Sequence, residues 1–319
     1  MQLLLHCLFF LAGVILLGVA AYFFVKSSCQ IGDHFNMPPL VAGVLLVGFG
    51  GSFPEIVVSL IASLHGEASL SVGNAVGSNI VNLGMVLSIS VLVMPIVVSP
   101  TTLKRDFPLL WLVMAIVYGL LFWKHALTPL IGVILLLLLM AYLGLMLFSI
   151  QKNKIQANVT DGGDGKIEKS PMWKVVVTWL VGLGLLFLSS EILVSNASHI
   201  AEHFGMSRLL IGLTIVAIGT SLPEFATTVM SAYKGQHDIA LGNVLGSNIF
   251  NLLAVLAMPA LFSPTTVSHQ ILMRDYPVMI ILTAITLIGA LLPRKTVAIG
   301  RPTAFALLFV WIFYYCLLF

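Results

Sequence analysis

Apolar residues run in ten long blocks along this chain, near 4–25, 38–64, 71–98, 107–123, 127–149, 173–195, 207–233, 239–262, 276–292 and 302–318. A helix that crosses a bilayer needs about 20 mostly apolar residues, so each block predicts one membrane-spanning helix joined to the next by a short loop. One polar stretch interrupts the series at 150–172, where Asp161-Gly162-Gly163-Asp164-Gly165-Lys166 has the composition of a flexible linker. The chain then divides into residues 1–150 with five spans, a linker at 151–172, and residues 173–319 with five more.

Composition narrows the class. The 319 residues are 59% hydrophobic and 8% charged, against roughly 25% charged in soluble domains. A water-soluble enzyme and a disordered chain are excluded on that ground. The 15 Lys and Arg are scattered and the net charge is only +3, so no basic face for nucleic acid is expected. Cys7, Cys29 and Cys316 form no metal-binding spacing and read as free thiols. The first block lacks a basic n-region and a small-residue cleavage site, and is expected to be a retained span rather than a signal peptide. Basic residues set the orientation. With both termini outside and the linker cytoplasmic, 12 Lys and Arg fall inside and 3 outside. The expected location is the cell inner membrane, with the lipid bilayer as surroundings and a monomer as the working unit.

The two halves repeat. Gly50-Gly51-Ser52-Phe53-Pro54-Glu55 recurs 169 residues later as Gly219-Thr220-Ser221-Leu222-Pro223-Glu224. At the same offset, the block from Gly73 to Asn82 (GNAVGSNIVN) recurs from Gly242 to Asn251 (GNVLGSNIFN), and Arg105-Asp106-Phe107-Pro108 recurs as Arg274-Asp275-Tyr276-Pro277. Because each half holds an odd number of spans, the second copy enters the membrane in the opposite sense. The fold class predicted is an all-α polytopic membrane protein of ten transmembrane helices in two inverted five-helix repeats. Inverted repeats with Gly/Pro-interrupted helices at matching positions point to a secondary transporter whose site lies at the midplane. Glycine and proline also occur simply to ease helix packing, which accounts for the glycines and leaves the repeated glutamate unexplained.

Glu55 and Glu224 each sit near the middle of an apolar span, with no Lys or Arg expected at that depth. An ionised carboxylate there costs several kcal/mol unless it is paired, so a proton or a bound cation must supply the missing charge. Two carboxylates brought together at the repeat interface repel unless a cation bridges them. The neighbouring residues add oxygen. Ser52, Glu55, Ser59 and Ser63 share one helical face, as do Ser221, Glu224 and Thr228. Asn74, Ser78 and Asn82 form a second stripe, repeated by Asn243, Ser247 and Asn251. Pro54 and Pro223 lack an N–H and free backbone carbonyls one turn earlier, and the Gly50-Gly51 pair makes the break in the first half the more pliable. Carboxylate, carbonyl, amide and hydroxyl oxygens suit Ca²⁺ and Na⁺, whereas zinc or copper would call for Cys or His. Taken singly, any of these Ser or Asn residues is as well explained by a helix–helix hydrogen bond.

These motifs resemble the calcium/cation antiporter superfamily, specifically the bacterial sodium/calcium exchanger-like proteins, over nearly the whole chain. The resemblance implies a transporter rather than an enzyme, with no cofactor and with Ca²⁺ and Na⁺ as the transported ions. It implies Glu55 and Glu224 as shared central ligands and backbone oxygens of Gly51 and Thr220 as further Ca²⁺ ligands. It also implies flanking Na⁺ sites from Ser52, Ser78, Ser221 and Ser247 with carbonyls near Gly48 and Ala217, and Asn82 and Asn251 bordering the centre. Three departures stand out. Gly51 replaces the usual Thr, Asn251 stands where several relatives have Asp, and the first span lacks an acidic residue that the second half keeps as Glu191. Glu191 is expected to be a near-interface carboxylate, with a packing or gating role and a cation-ligand role as the other readings. An alternative keeps the site and changes the coupling ion to H⁺ or K⁺. An intramembrane serine enzyme is disfavoured, because only His6 among the histidines lies well inside a span and no base is near Ser52 or Ser221.

Overall fold

The computed structural model describes residues 2–160, 171–205, 217–292 and 297–318. Ten helices organise it. The first five are α1 (Gln2–His34), α2 (Pro39–Leu64), α3 (Ala68–Val93), α4 (Thr102–Lys124) and α5 (Pro129–Thr160). The second five are α6 (Met172–His203), α7 (Leu222–Tyr233), α8 (His237–Phe262), α9 (Ile271–Leu291) and α10 (Arg301–Leu318). Among the described residues, nine of these are long and apolar enough to cross a membrane. The upstream part of the block at 207–233 lies outside the described residues, as do Arg208, Arg294 and Lys295. The linker also differs from expectation, because α5 continues to Thr160 before the described residues stop.

The duplication is visible in backbone detail. Helix α3 widens into a π turn at Asn82–Leu87, and α8 does so at Asn251–Val255, both starting at the last Asn of the repeated block. A second pair of π turns opens α4 at Thr102–Asp106 and α9 at Ile271–Asp275. A π turn inserts one extra residue into a helical turn and is enriched at functional sites. Left-handed residues recur in the same way, at Asn36 and Gly205 after the first helix of each half and at Gly66 and Gly235 after the glutamate-bearing helix. Glycine meets no steric penalty in that conformation. At both of the later turns the chain closes with the same bond, from Glu67 N–H to Ala62 C=O and from Gln236 N–H to Ser231 C=O, each 2.8 Å.

The halves are interlocked. Strand β1 (Ile96–Val97) pairs antiparallel with β4 (Ala298–Ile299), and β2 (Ala126–Leu127) pairs with β3 (Thr265–Thr266), so each two-stranded ladder joins one half to the other. Helices α3 and α8 are the most enclosed, while α1, α6 and α10 present most of their surface outward. Helices α1 and α6 pack along one another at the periphery. Where α2 crosses α8 the backbones nearly touch, since a Cβ on Gly43 would lie 2.6 Å from the Ile239 carbonyl and one on Gly242 would collide with the Leu40 carbonyl.

The two glutamate-bearing segments are not equally interrupted. In the first half the helix runs unbroken from Phe49 through Pro54 to Leu64. In the second, a short helical turn at Ala217–Gly219 ends and α7 restarts at Leu222, with Ser221 at φ −92°, ψ 7°. The expected break in the first half is therefore absent. Pro54 removes its own backbone hydrogen bond to the turn at Gly50 without ending the helix, and the turns before Phe49 (Gly43–Gly48) are wound as π helix.

Candidate cation site

Pro54 precedes Glu55 on α2 and Pro223 precedes Glu224 on α7, so the carboxylates follow the two prolines at matching points. Helices α2 and α7 touch, and the side chains are 0% and 1% exposed, close enough that the two charges repel. Oε1 of Glu224 accepts a hydrogen bond from Ser52 Oγ at 3.3 Å. Among the described residues, Oε2 of Glu224 and both carboxylate oxygens of Glu55 have no hydrogen-bond partner. Ser221 Oγ, Asn82 Oδ1 and both polar atoms of Asn251 are likewise buried without one. An unsatisfied buried polar atom costs about 1–3 kcal/mol, and a charged one more. The unpartnered carboxylate, amide and hydroxyl oxygens are of the kind that a hard cation takes as ligands.

The second oxygen stripe runs beside the first. Ser247 Oγ donates to the Gly48 carbonyl at 3.3 Å, so the two halves supply neighbouring oxygens at this flank as well. Asn82 Nδ2 donates to Asn248 Oδ1 at 3.3 Å, tying the start of one π turn to α8. Ser52, Ser221 and Ser247 are fully buried and Ser78 is nearly so. Gly51 is enclosed against the second glutamate, and a Cβ there would lie 3.2 Å from Glu224 Cγ and Cδ. Thr220 lies at the interruption between the short turn and α7. The side chain of Ala217 and the residues just before it lie outside the described ones.

Several residues on the predicted faces do other work. Asn74 Nδ2 donates to the Glu55 carbonyl at 3.3 Å, and Asn243 Nδ2 donates to the Glu224 carbonyl at 3.2 Å, an identical bond in both halves. These amides hold the glutamate backbone. Ser71 Oγ donates to the Ser59 carbonyl (2.8 Å), Ser63 and Ser71 share a bond (3.1 Å), and Asn243 also donates to Thr227 and Thr228. These bonds pack α2 on α3 and α7 on α8. Asn248, the partner of Asn82, was missed from sequence because it falls off the i, i+4 stripe. Its signal was the repeated Ser-Asn pair at Asn79 and Asn248. Glu191 stands on α6. Helix α6 runs on to His203, twelve residues past it, or about 18 Å at 1.5 Å per residue, so the carboxylate is not at a helix end.

Among the described residues no group of three or more His, Cys, Asp and Glu side chains gathers to hold a metal ion. The donors here are two carboxylates with hydroxyl, amide and carbonyl oxygens, a set that fits Na⁺ or Ca²⁺ as a passing substrate.

The chain is similar to several known proteins. The family model described as sodium/calcium exchanger protein matches residues 5–148 and 174–319. A putative antiporter, CaxA, of Alkalimonas amylolytica is 40% identical over 98% of both chains. Inner membrane protein YrbG of Escherichia coli is 36% identical over 86% of this chain and 85% of its own. Sodium/calcium exchanger MaX1 of Methanosarcina acetivorans is 29% identical over 88% and 90%. Among solved structures, the sodium-calcium exchanger NCX_Mj soaked with zero Na⁺ and Ca²⁺ superposes with a TM-score of 0.83 at 29% identity, covering 99% of this chain and 100% of that one.

Proposed function

This chain belongs to the sodium/calcium exchanger family and is a multi-pass membrane transporter of cations, and we propose that it exchanges Na⁺ for Ca²⁺ at Glu55 and Glu224 by alternating access. The observation that carries this reading is the pair of enclosed carboxylates with three unpartnered oxygens between them. Their joint charge of about −2 is neutralised by one Ca²⁺ or by two Na⁺, and a further Na⁺ adds positive charge. Mutually exclusive occupancy couples the two fluxes. An empty, doubly charged site is costly to carry through hydrocarbon, which suppresses leak.

In this reading Glu55 and Glu224 bind both ions, with backbone oxygens of Gly51 and Thr220 completing the Ca²⁺ shell. Ser52, Ser78, Ser221 and Ser247, with carbonyls near Gly48 and Ala217, form the flanking Na⁺ positions. Asn82 and Asn251 border the centre without adding charge. The pair α1 and α6 moves against the core that holds the site. Two features support that motion: these helices pack chiefly on each other at the periphery, and α6 meets the interrupted segment closely, with Val194 filling the space where Gly219 has no side chain. The basic residues support a cytoplasmic linker and placement in the inner membrane.

Purified protein in liposomes, with Na⁺, K⁺ and H⁺ gradients imposed one at a time, tests the proposal through ⁴⁵Ca²⁺ uptake. An outward Na⁺ gradient alone should drive uptake. Uptake driven only by a pH gradient, or only with K⁺ present, would move the coupling ion to H⁺ or K⁺ at the same site.

A further inference from the structure

Helix α6 carries one carboxylate away from its ends, Glu191. It is exposed, and among the described residues it has neither an ion pair nor a hydrogen bond. It opens onto a crevice of about 550 Å³ that it lines together with Ser190, Ser195, Thr220, Pro54 and Pro223. Those two prolines immediately precede the central glutamates, so the crevice reaches from α6 to the backs of both site helices. Ser190, on the same wall, is 8% exposed and its Oγ has no hydrogen-bond partner among the described residues. The rest of the lining is mostly apolar, with Phe53, Val57 and Val58 among it. A carboxylate held at mid-helix against such a wall costs about 2.5–3.5 kcal/mol on an insertion scale, and residues of this kind mark ion pathways.

The related face lacks this opening. The repeat offset places Tyr22 where Glu191 stands, and Lys234 Nζ covers that ring at 3.6 Å. Around it Ala21, Val25, Ala226 and Thr227 are buried. Of the two repeat-related faces, the one that carries the extra carboxylate opens into the crevice, which reaches Pro54 and Pro223 while both glutamates stay enclosed.

We propose that Glu191 and Ser190 form an outer cation site, which captures Na⁺ or Ca²⁺ in the crevice before the ion passes between Pro54 and Pro223 to the central pair. This rests on the exchange reading above. A single carboxylate facing an apolar channel concentrates cations by its field and raises their rate of arrival. It adds nothing to the coordination of the bound state at the centre. Its loss therefore changes the apparent affinity and leaves the turnover rate at saturation.

The test is ⁴⁵Ca²⁺ uptake against Ca²⁺ concentration in liposomes, comparing wild type, Glu191→Gln, Glu191→Asp, Ser190→Ala and Glu55→Gln, each first checked for a monodisperse peak on size exclusion. Glu191→Gln should raise the KM for Ca²⁺ about tenfold with little change in maximal rate, and should flatten the dependence of KM on added choline chloride. Glu191→Asp should recover most of the loss, and Ser190→Ala should show a smaller rise in KM. Wild-type exchange that Glu55→Gln abolishes, together with an unchanged KM in Glu191→Gln, overturns the outer site and leaves the central site standing. A fall in maximal rate alone, or one that Glu191→Asp does not rescue, assigns Glu191 to packing and also overturns the proposal. Absence of exchange in wild type overturns both.

Discussion

Ser52 in the first repeat donates its hydroxyl to Oε1 of Glu224 in the second, 3.3 Å away. One half of the chain therefore orients the carboxylate of the other, and the donating hydroxyl keeps its lone pairs free to accept. Ser52→Ala removes both functions while leaving a small buried side chain. Exchange should persist with a lower Na⁺ affinity, because the flanking oxygen is lost and the central pair remains. Na⁺-dependence curves of ⁴⁵Ca²⁺ uptake should shift to higher Na⁺ by several-fold, consistent with about 1 kcal/mol for one hydrogen bond. An unshifted curve would remove Ser52 from the ion path.

Replacing either carboxylate by its neutral isostere separates stability from function. Glu55→Gln and Glu224→Gln relieve the repulsion between two enclosed charges, so in cation-free detergent each variant should melt no lower than wild type. Both should lose exchange. Both should also lose the gain in melting temperature that Ca²⁺ gives wild type, since a ligand at 100 times its Kd adds about 2.7 kcal/mol to the folded state. Full uptake in either variant would sink the site assignment.

Gly51 makes room for the partner glutamate. Its missing Cβ would stand 3.2 Å from Glu224 Cγ and Cδ and 3.3 Å from Oε1, so Gly51→Thr restores a hydroxyl and at the same time presses on the carboxylate. The side chain must give by a few tenths of an ångström, which a Glu rotamer absorbs. The expected result is altered Na⁺ affinity with a smaller change in Ca²⁺ affinity, read from competition curves in liposomes. If neither changes, the hydroxyl at this position is neutral.

Close backbone contact makes the crossing of α2 and α8 intolerant of side chains. Gly43→Val should destabilise the protein by about 1–3 kcal/mol, the usual cost of overpacking, because its Cβ would meet the Ile239 backbone at 2.6–2.8 Å. Gly73→Ala, where a Cβ meets nothing within 4 Å, is the matched control and should melt like wild type. Thermal unfolding in detergent compares the two.

Much of this was legible in the chain because duplication made it so. The 169-residue offset marked Glu55 and Glu224 before any contact was known, and apolar block length marked the helices. What sequence could not reach depends on geometry between helices. Periodicity of 3.6 grouped Ser59 and Thr228 with the glutamates, yet each accepts a bond from an asparagine of the neighbouring helix. The same rule left out Asn248, because a residue one step off the stripe still meets Asn82 when α3 and α8 cross. The continuous helix through Pro54 was hidden too, since a proline inside an apolar run reads equally as a break or as a tolerated kink. The length of α6 was hidden as well, because apolar composition fades near residue 195 while the backbone stays helical to His203.

The bond that both repeats share gives the sharpest comparison. Asn243 Nδ2 donates to the Glu224 carbonyl and to the hydroxyls of Thr227 and Thr228, at 3.2, 3.0 and 2.6 Å, and is fully buried. Asn74 makes the matching bond to the Glu55 carbonyl at 3.3 Å and one to Ser59 Oγ at 3.2 Å, and is only half-buried. Removing a buried donor leaves its acceptors unsatisfied at about 1–3 kcal/mol, less where water reaches them. Asn243→Ala should therefore lower the melting temperature more than Asn74→Ala. Asn243→Asp should be worse than either. Its carboxylate is isosteric but has no N–H to offer, and it sets a third buried negative charge against the Glu224 carbonyl. If Asn243→Asp matched Asn243→Ala in stability, the amide would not be acting as a donor to the glutamate backbone, and the shared bond would be incidental to how the site is held.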